Sequence, residues 1–289
     1  MKPEKERKKE RKKERKKERK KDKGYDFIFS IGSACYCSYY LRQSNLQTKS
    51  YPFDWVKECC FENRADLIVS DFKDFFNKED FEFLHKSNKF NNKDTYKNKR
   101  TNVHFVHDFP PQEEQSFDAA YPIQLAKYNR RIKRLYKEIQ KSKKVLAVYL
   151  AHPTLNIHVD DETLIRIQQK LQQKFPKQQI DILYLESKPE LYKTEPHQEY
   201  IVNDNIIKIY ANFEPIVHYF NTPDTSIPDY EVVQKIFNEF YLTKNKYLEI
   251  RKLKKGFGIY LLQRIFTIFR LKLYLFGLRL DFCLGKIRD

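Results

Sequence analysis

Four residues of this chain could together run nucleophilic chemistry: Cys35, Asp54, His107 and Asp108. Cysteine catalysis needs a thiol, a base within hydrogen-bond reach to take its proton, and a third group to orient that base. Cys35 would supply the thiol, His107 the imidazole, and Asp54 or Asp108 the carboxylate. The surroundings of Cys35 suit the role. An apolar run from Tyr25 to Ile31 breaks at Gly32 and Ser33, and Cys37, Tyr40 and Leu41 then recur at helical steps. This spacing predicts strand, tight turn and helix, with Cys35 in the first helical turn. Unpaired backbone N–H groups and the positive end of the helix dipole favour thiolate at such a position. The N–H groups of Ser33–Cys35 would then be placed to hold an oxyanion. The competing reading of the same position is a small, buried, apolar cysteine.

Asp54 sits in Tyr51-Pro-Phe-Asp-Trp55, where a proline and two aromatics, one of them the chain's single Trp, would fix a carboxylate. His107 lies in a β-type run, Thr101 to Phe109, that ends at Pro110-Pro111. Strand alternation would put Val103, Phe105 and His107 on one face and His104, Val106 and Asp108 on the other. Asp108 would then point away from His107, which makes Asp54 the more natural orienter. His85, His158, His197 and His218 stand in no companion motif.

These residues need elements to position them. Lys144 to Leu150 is a continuous apolar run, the pattern of a strand covered on both faces. Ile180 to Leu185 and Ile206 to Tyr210 read as further strands. Helices are expected over Phe61 to Phe76, Asp118 to Lys141, Asp160 to Phe175 and Val232 to Tyr241, and a loop or hairpin over Lys86 to Asn102. Strands alternating with helices predict an α/β fold: a mostly parallel sheet covered by helices, in three layers. Ligands in such folds bind beyond the carboxyl ends of the strands, and Gly32–Cys35, His107–Asp108 and His152 all fall at such ends.

Charge divides the chain into three parts. The formal net charge is +17, yet residues 1–23 carry +9, residues 244–289 carry +9, and residues 24–243 carry −1. The first segment is a basic low-complexity tail in which Glu-Arg-Lys-Lys repeats four times over residues 6–21. It has no apolar residue to dock on a core. Residues 24–243 are the expected α/β domain, and its near neutrality argues against a specific nucleic-acid partner. Residues 244–289 form a basic segment in which Leu262, Phe266, Phe269, Leu273, Phe276 and Leu280 make one helical stripe flanked by Arg264, Arg270, Lys272 and Arg279. Charges every few residues argue against a membrane span. The stripe over residues 256–280 fits either an anionic membrane surface or packing on the domain. The five cysteines, Cys35, Cys37, Cys59, Cys60 and Cys283, contain no Cys-x-x-Cys pair. No metal or cofactor is therefore expected. The charged N-terminus lacks the apolar core of a secretory signal, so a cytoplasmic location, peripheral on the inner membrane face, is the expectation.

Gly32-Ser-Ala-Cys35, Pro52-Phe-Asp-Trp55, His107-Asp-Phe109, and Tyr128-Asn-Arg-Arg-Ile-Lys-Arg134 ahead of the strand Val145–Leu150 together resemble a bacterial family described as papain-like cysteine peptidases. Order and rough spacing match over residues 25–152, with weaker similarity to about residue 240. The resemblance implies a cysteine-dependent activity with Cys35, His107, Asp54 and Asp108 as site residues. A papain-type site places its cysteine helix after a loop, whereas here a strand leads into the turn, which widens the expected activity to a thiol hydrolase or acyl-transfer enzyme acting on a peptide or other acyl substrate. Two rivals remain. The Gly32 turn and helix N-terminus could hold phosphate in a nucleotide- or sugar-nucleotide-dependent enzyme of surface-glycan assembly, and the basic C-terminus resembles tails on bacterial enzymes of that kind. Alternatively, the chain is a non-catalytic membrane-associated binding protein.

Overall fold

The computed structural model describes residues 23–86, 92–151, 158–188, 190–191, 197–213 and 230–243. The basic N-terminal repeat, His152 and the amphipathic stripe of residues 256–280 lie outside the described residues. The chain divides into two compact units, Met1–Leu242 and Thr243–Asp289, and the sheets of the described residues belong to the first.

The largest sheet has five strands. In spatial order they are β2 (Phe27–Gly32), β7 (Lys144–Ala151), β8 (Gln179–Ser187), β10 (Ile206–Ala211) and β9 (Gln198–Asn203). The β2-β7, β7-β8 and β8-β10 pairs are parallel, and β9 closes the edge antiparallel to β10. β7 shows why this sheet is internal. Val145, Ala147, Tyr149 and Ala151 enter one core cluster, and Leu146, Val148 and Leu150 enter the other. On one face lie helix α1 (Cys35–Gln43), through Tyr36, Cys37, Tyr40 and Leu41, and helix α5 (Tyr230–Phe237), through Val233, Ile236 and Phe237. On the other lie α2 (Phe61–Val69) and α4 (Asp161–Lys174), the latter through Leu164, Ile167 and Leu171. The Asp160 carboxylate caps α4 by accepting the Thr163 N–H at 2.7 Å, which fixes where that helix begins.

The expectation of a mostly parallel sheet is corrected by what lies between β2 and β7. That stretch builds a second sheet of four strands, all antiparallel. In spatial order they are β3 (Val56–Glu58), β6 (Val103–Phe109), β5 (Asp94–Asn98) and β4 (Phe81–His85). Helix α3 (Phe117–Lys141) contributes Ala120, Tyr128, Leu135 and Ile139 to the same core cluster as this sheet. The chain's many aromatics concentrate here. The Phe76 ring packs on Phe81, Phe105 and Tyr128 with centroids 4.9–5.2 Å apart, the separation that favours edge and offset contacts. Two strands, β1 (Gly24–Tyr25) and β11 (Tyr241–Leu242), make a small parallel pair.

The helix expected over Phe61 to Phe76 stops at Val69, because Asp71, Phe72 and Asp74 adopt left-handed backbone with φ of 57°, 58° and 61°. Phe72, Phe75 and Phe76 are still buried, delivered by turns rather than by a helix face. The last expected helix likewise ends at Phe237, and Tyr241 turns into β11.

Candidate active site around Cys35

Strand β2 ends at Gly32, whose φ of 144° is closed to most side chains. A Cβ there would also lie 2.9 Å from Cδ of Arg64. The turn is then tied to the next strand. Ser33 donates its N–H and its hydroxyl to Leu150 O at 3.2 and 3.0 Å, and Tyr36 OH donates to the same oxygen at 3.1 Å. Ala34 is the N-cap of α1 and offers no side-chain acceptor, so Cys35 begins the helix beside uncapped N–H groups.

Cys35 is 9% exposed. Burial pushes its thiol above the ordinary value, against a downward pull from Lys57 and from the N–H groups of Cys35 and Tyr36. The expected resting thiolate is therefore corrected: desolvation outweighs the helix terminus. The oxyanion donors shift as well. The Ser33 N–H is already engaged with Leu150, which leaves those of Cys35 and Tyr36 beside the sulfur. Cys37 is a different case. It points into the sheet core, donates its S–H to Val148 O at 3.5 Å, and burial pushes it up to about 12.

Arg64 is the residue that sequence reasoning missed. It is fully buried in α2, among Phe61, Ala65 and Ile68. It ion-pairs with no carboxylate among the described residues. Instead its guanidinium donates to four backbone carbonyls: Ser33 at 2.7 Å, Ile31 at 3.4 Å, Glu58 at 2.6 Å and Cys59 at 2.9 Å. Glu58 and Cys59 hold left-handed backbone, φ 55° and 60°. One cation thus clamps the cysteine turn to the end of β3. A charged residue on the apolar side of a short helix was the available signal.

Asp54 is fully buried in a 3-10 turn, Pro52–Trp55. Its Oδ2 accepts from Arg42 Nη2 at 2.7 Å, Gln47 Nε2 at 2.6 Å and the Tyr51 N–H at 2.9 Å. No hydrogen bond joins it to His107 among the described residues. The carboxylate fixes its own turn, and Trp55 at the end of that turn reaches His107. The Trp55 and His107 rings meet edge to face, centroids 5.8 Å apart. The Asp54 backbone carbonyl also accepts from Ser38 of α1 at 3.1 Å, which ties the cysteine helix to this turn. Burial pushes the Asp54 carboxyl up to about 7, against downward pulls from the Tyr51 N–H and Arg42. This folded value lies above the ordinary 3.8, so the group's contribution to stability is complete at low pH and is lost as pH rises through about 7. The urea midpoint is expected to fall between about pH 4 and pH 8, and Asp54→Asn to flatten that slope. An unchanged slope in the variant would remove Asp54 as its cause.

His107 is half-buried on β6. Regular alternation does not hold there. Asp94 pairs with Phe109 and Tyr96 with Phe105, so two steps of β5 face four of β6. This bulge spans His107 and Asp108 and re-aims both. Burial lowers the imidazole's pKa, Lys57 and Lys127 lower it further, and Asp108 opposes them. Asp108 itself is anchored on α3, accepting from Lys127 Nζ at 2.6 Å and Tyr128 OH at 2.7 Å. The structure does not close a Cys35–His107 hydrogen bond. It places both within the field of the same half-buried Lys57.

A second cluster, away from these residues, could in principle bind a cation. His197, Glu199 and Glu239 offer ligand atoms within 4.8 Å of one another. The Lys23 ammonium already lies 2.7 Å from Glu199 and 2.6 Å from Glu239 and serves as the cation there.

The chain belongs to the family described as "Putative papain-like cysteine peptidase (DUF1796)", whose model matches residues 26–185, more than half of the chain. An uncharacterized protein of Acanthamoeba polyphaga mimivirus is 30% identical over 132 residues, which is 41% of this chain and 59% of the relative. The chain thus spans about three fifths of that relative's length. The relative is viral, and nothing in the match supports the expected bacterial origin. No solved structure matches the chain. Among the described residues, no helix is long and apolar enough to cross a membrane.

Proposed function

We propose that the protein is a cysteine-dependent hydrolase or acyl-transfer enzyme in which Cys35 is the nucleophile and His107 the base. The observation that carries this reading is the contrast between two cysteines on one helix. Cys37 is sealed in the core, while Cys35 sits at the helix start with N–H groups on its sulfur, on a turn secured by a buried arginine. A merely structural cysteine needs none of that.

The directions of the two shifts support general-base activation. A raised thiol and a lowered imidazole both rest in the neutral form, so the pair is not a standing thiolate–imidazolium. His107 takes the thiol proton as Cys35 attacks the carbonyl carbon. The N–H groups of Cys35 and Tyr36 receive the oxyanion, and His107 returns the proton to the leaving group as a thioester forms. Water or an acceptor nucleophile then releases the acyl group. The Cys35–His107 hydrogen bond forms when substrate binds, as catalytic hydrogen bonds often tighten only in the complex.

The test is acylation by p-nitrophenyl acetate. A burst of nitrophenol is expected, with the acetyl group mapped by mass spectrometry to Cys35 ahead of Cys60, although Cys60 is the exposed thiol among the described residues. Acetyl found first on Cys60, or no burst, would sink the reading.

A further inference from the structure

Lys57 is a half-buried cation. Among the described residues its side chain makes no ion pair and no hydrogen bond, whereas Lys127, the other lysine acting on His107, is held by Asp108 at 2.6 Å. The strand register shows where Lys57 stands. It lies opposite His104 across β3-β6, His104 lies opposite Lys97 across β6-β5, and Lys97 lies opposite Glu82 across β5-β4. Directly opposed residues share a face, so one row crosses the outer face of the four-stranded sheet. Two lysines flank a histidine in it, and the one acid stands at the far end. At the near end, Arg64 bonds both Glu58 O, the residue after Lys57, and Ser33 O, two residues before Cys35. The row therefore begins beside the nucleophile.

We propose that Lys57 is an anion subsite of the Cys35 centre, and that the substrate is an acyl compound carrying a carboxylate or other anionic group next to the scissile carbonyl. This inference rests on the reading of Cys35 as the nucleophile and names the substrate class for it. An acidic peptide laid along the row would place its charge on Lys57 and its further acids toward His104 and Lys97. The substrate then supplies the counter-charge that no described residue gives Lys57.

Two small alkylating agents of the same reactivity class test it in the full chain. Iodoacetate and iodoacetamide both transfer a carbon to a thiolate with loss of iodide, and they differ by one negative charge. Their rate ratio at Cys35, normalised to the ratio at exposed Cys60, cancels any change in thiolate fraction and reports charge recognition alone. The normalised ratio is expected to favour iodoacetate by about fivefold and to fall to about one in Lys57→Met. It should survive in Lys57→Arg and drop in high salt. If Cys35 reacts with both reagents but the ratio matches that of Cys60 and ignores Lys57→Met, the subsite is wrong and the thiol reading stands. If Cys35 reacts with neither reagent in the folded chain, both fall together. Circular dichroism and the urea midpoint of each variant show that the sheet persists, and Lys57→Arg keeps the comparison decisive should Lys57→Met unfold.

Discussion

Arg64→Met is expected to cost most of the stability of the domain. The substitution removes the donor from four backbone carbonyls at once, those of Ser33, Ile31, Glu58 and Cys59. A buried acceptor left unpaired costs about 1–3 kcal/mol. Four of them exceed about 4 kcal/mol even at the low end, against a total stability of about 5–15 kcal/mol. Replacing a buried ion pair by apolar residues can be neutral when both partners go. That escape is closed here, because the acceptors are main-chain atoms and remain. The guanidinium also lies over the Phe53 ring, 5.3 Å from its centroid, and that packing goes too. Arg64→Lys keeps the charge but offers a single nitrogen, which cannot reach four oxygens spread over two turns, so an intermediate loss is expected. Urea unfolding measures both. A loss below about 1 kcal/mol in Arg64→Met would show that the clamp is not what holds the turn.

How much of this was legible depended on what kind of force placed each element. β7, α4 and the strand–turn–helix around Cys35 were readable because burial wrote their periodicity into the sequence: seven consecutive buried residues in β7, and Leu164, Ile167 and Leu171 at helical steps. β4 and β9 were not, and their loss is what made the sheet look parallel. Phe83 and Leu84 in β4, and Tyr200 and Ile201 in β9, are exposed, so neither strand carries a one-sided apolar pattern. Edge strands are defined by their hydrogen-bonding neighbour, which sequence pattern does not report. Without β3, β4 and β5, the antiparallel sheet between β2 and β7 shrinks to a single strand and a loop, and without β9 the five-stranded sheet looks wholly parallel.

The site divides the same way. Cys35 was readable from a glycine, a break and a helical period, all local. The direction of its pKa shift was not, because burial is decided by residues far off in sequence, and at 9% exposure desolvation exceeds what two N–H groups return. Asp54 was expected to be fixed by a proline and two aromatics, whereas hydrogen bonds hold it and also consume it. Three donors converge on one oxygen, from Arg42, Gln47 and Tyr51. The bulge in β6, where the strand takes two extra residues, is announced by no propensity, and Asp108 there bonds Lys127 and Tyr128 of α3.

The pH dependence of Cys35 acylation is expected to follow His107 and to move in opposite directions in two variants. Base catalysis needs neutral imidazole, and burial with Lys57 and Lys127 holds the His107 pKa below 6.5. The burst rate with p-nitrophenyl acetate should therefore rise through a pH below 6.5 and level off before neutrality. Lys127→Met removes a cation that lowers the imidazole and also frees Asp108, whose charge raises it. Both changes push the same way, so the acid limb should shift to higher pH. Asp108→Asn removes the carboxylate that favours imidazolium, and its limb should shift to lower pH. The His107 ring proton, followed by NMR, should titrate with the same ordering in the absence of any ester, which separates the base from the rest of the reaction. His107→Ala should lower the burst rate about 10²–10⁴-fold and abolish the limb, and Cys35→Ala should leave no burst at all. A structural histidine would give none of this. Its loss would change stability, while the residual burst would keep the acid limb of the wild type. An acid limb that stays in place in both Lys127→Met and Asp108→Asn would mean that some other group takes the proton from Cys35.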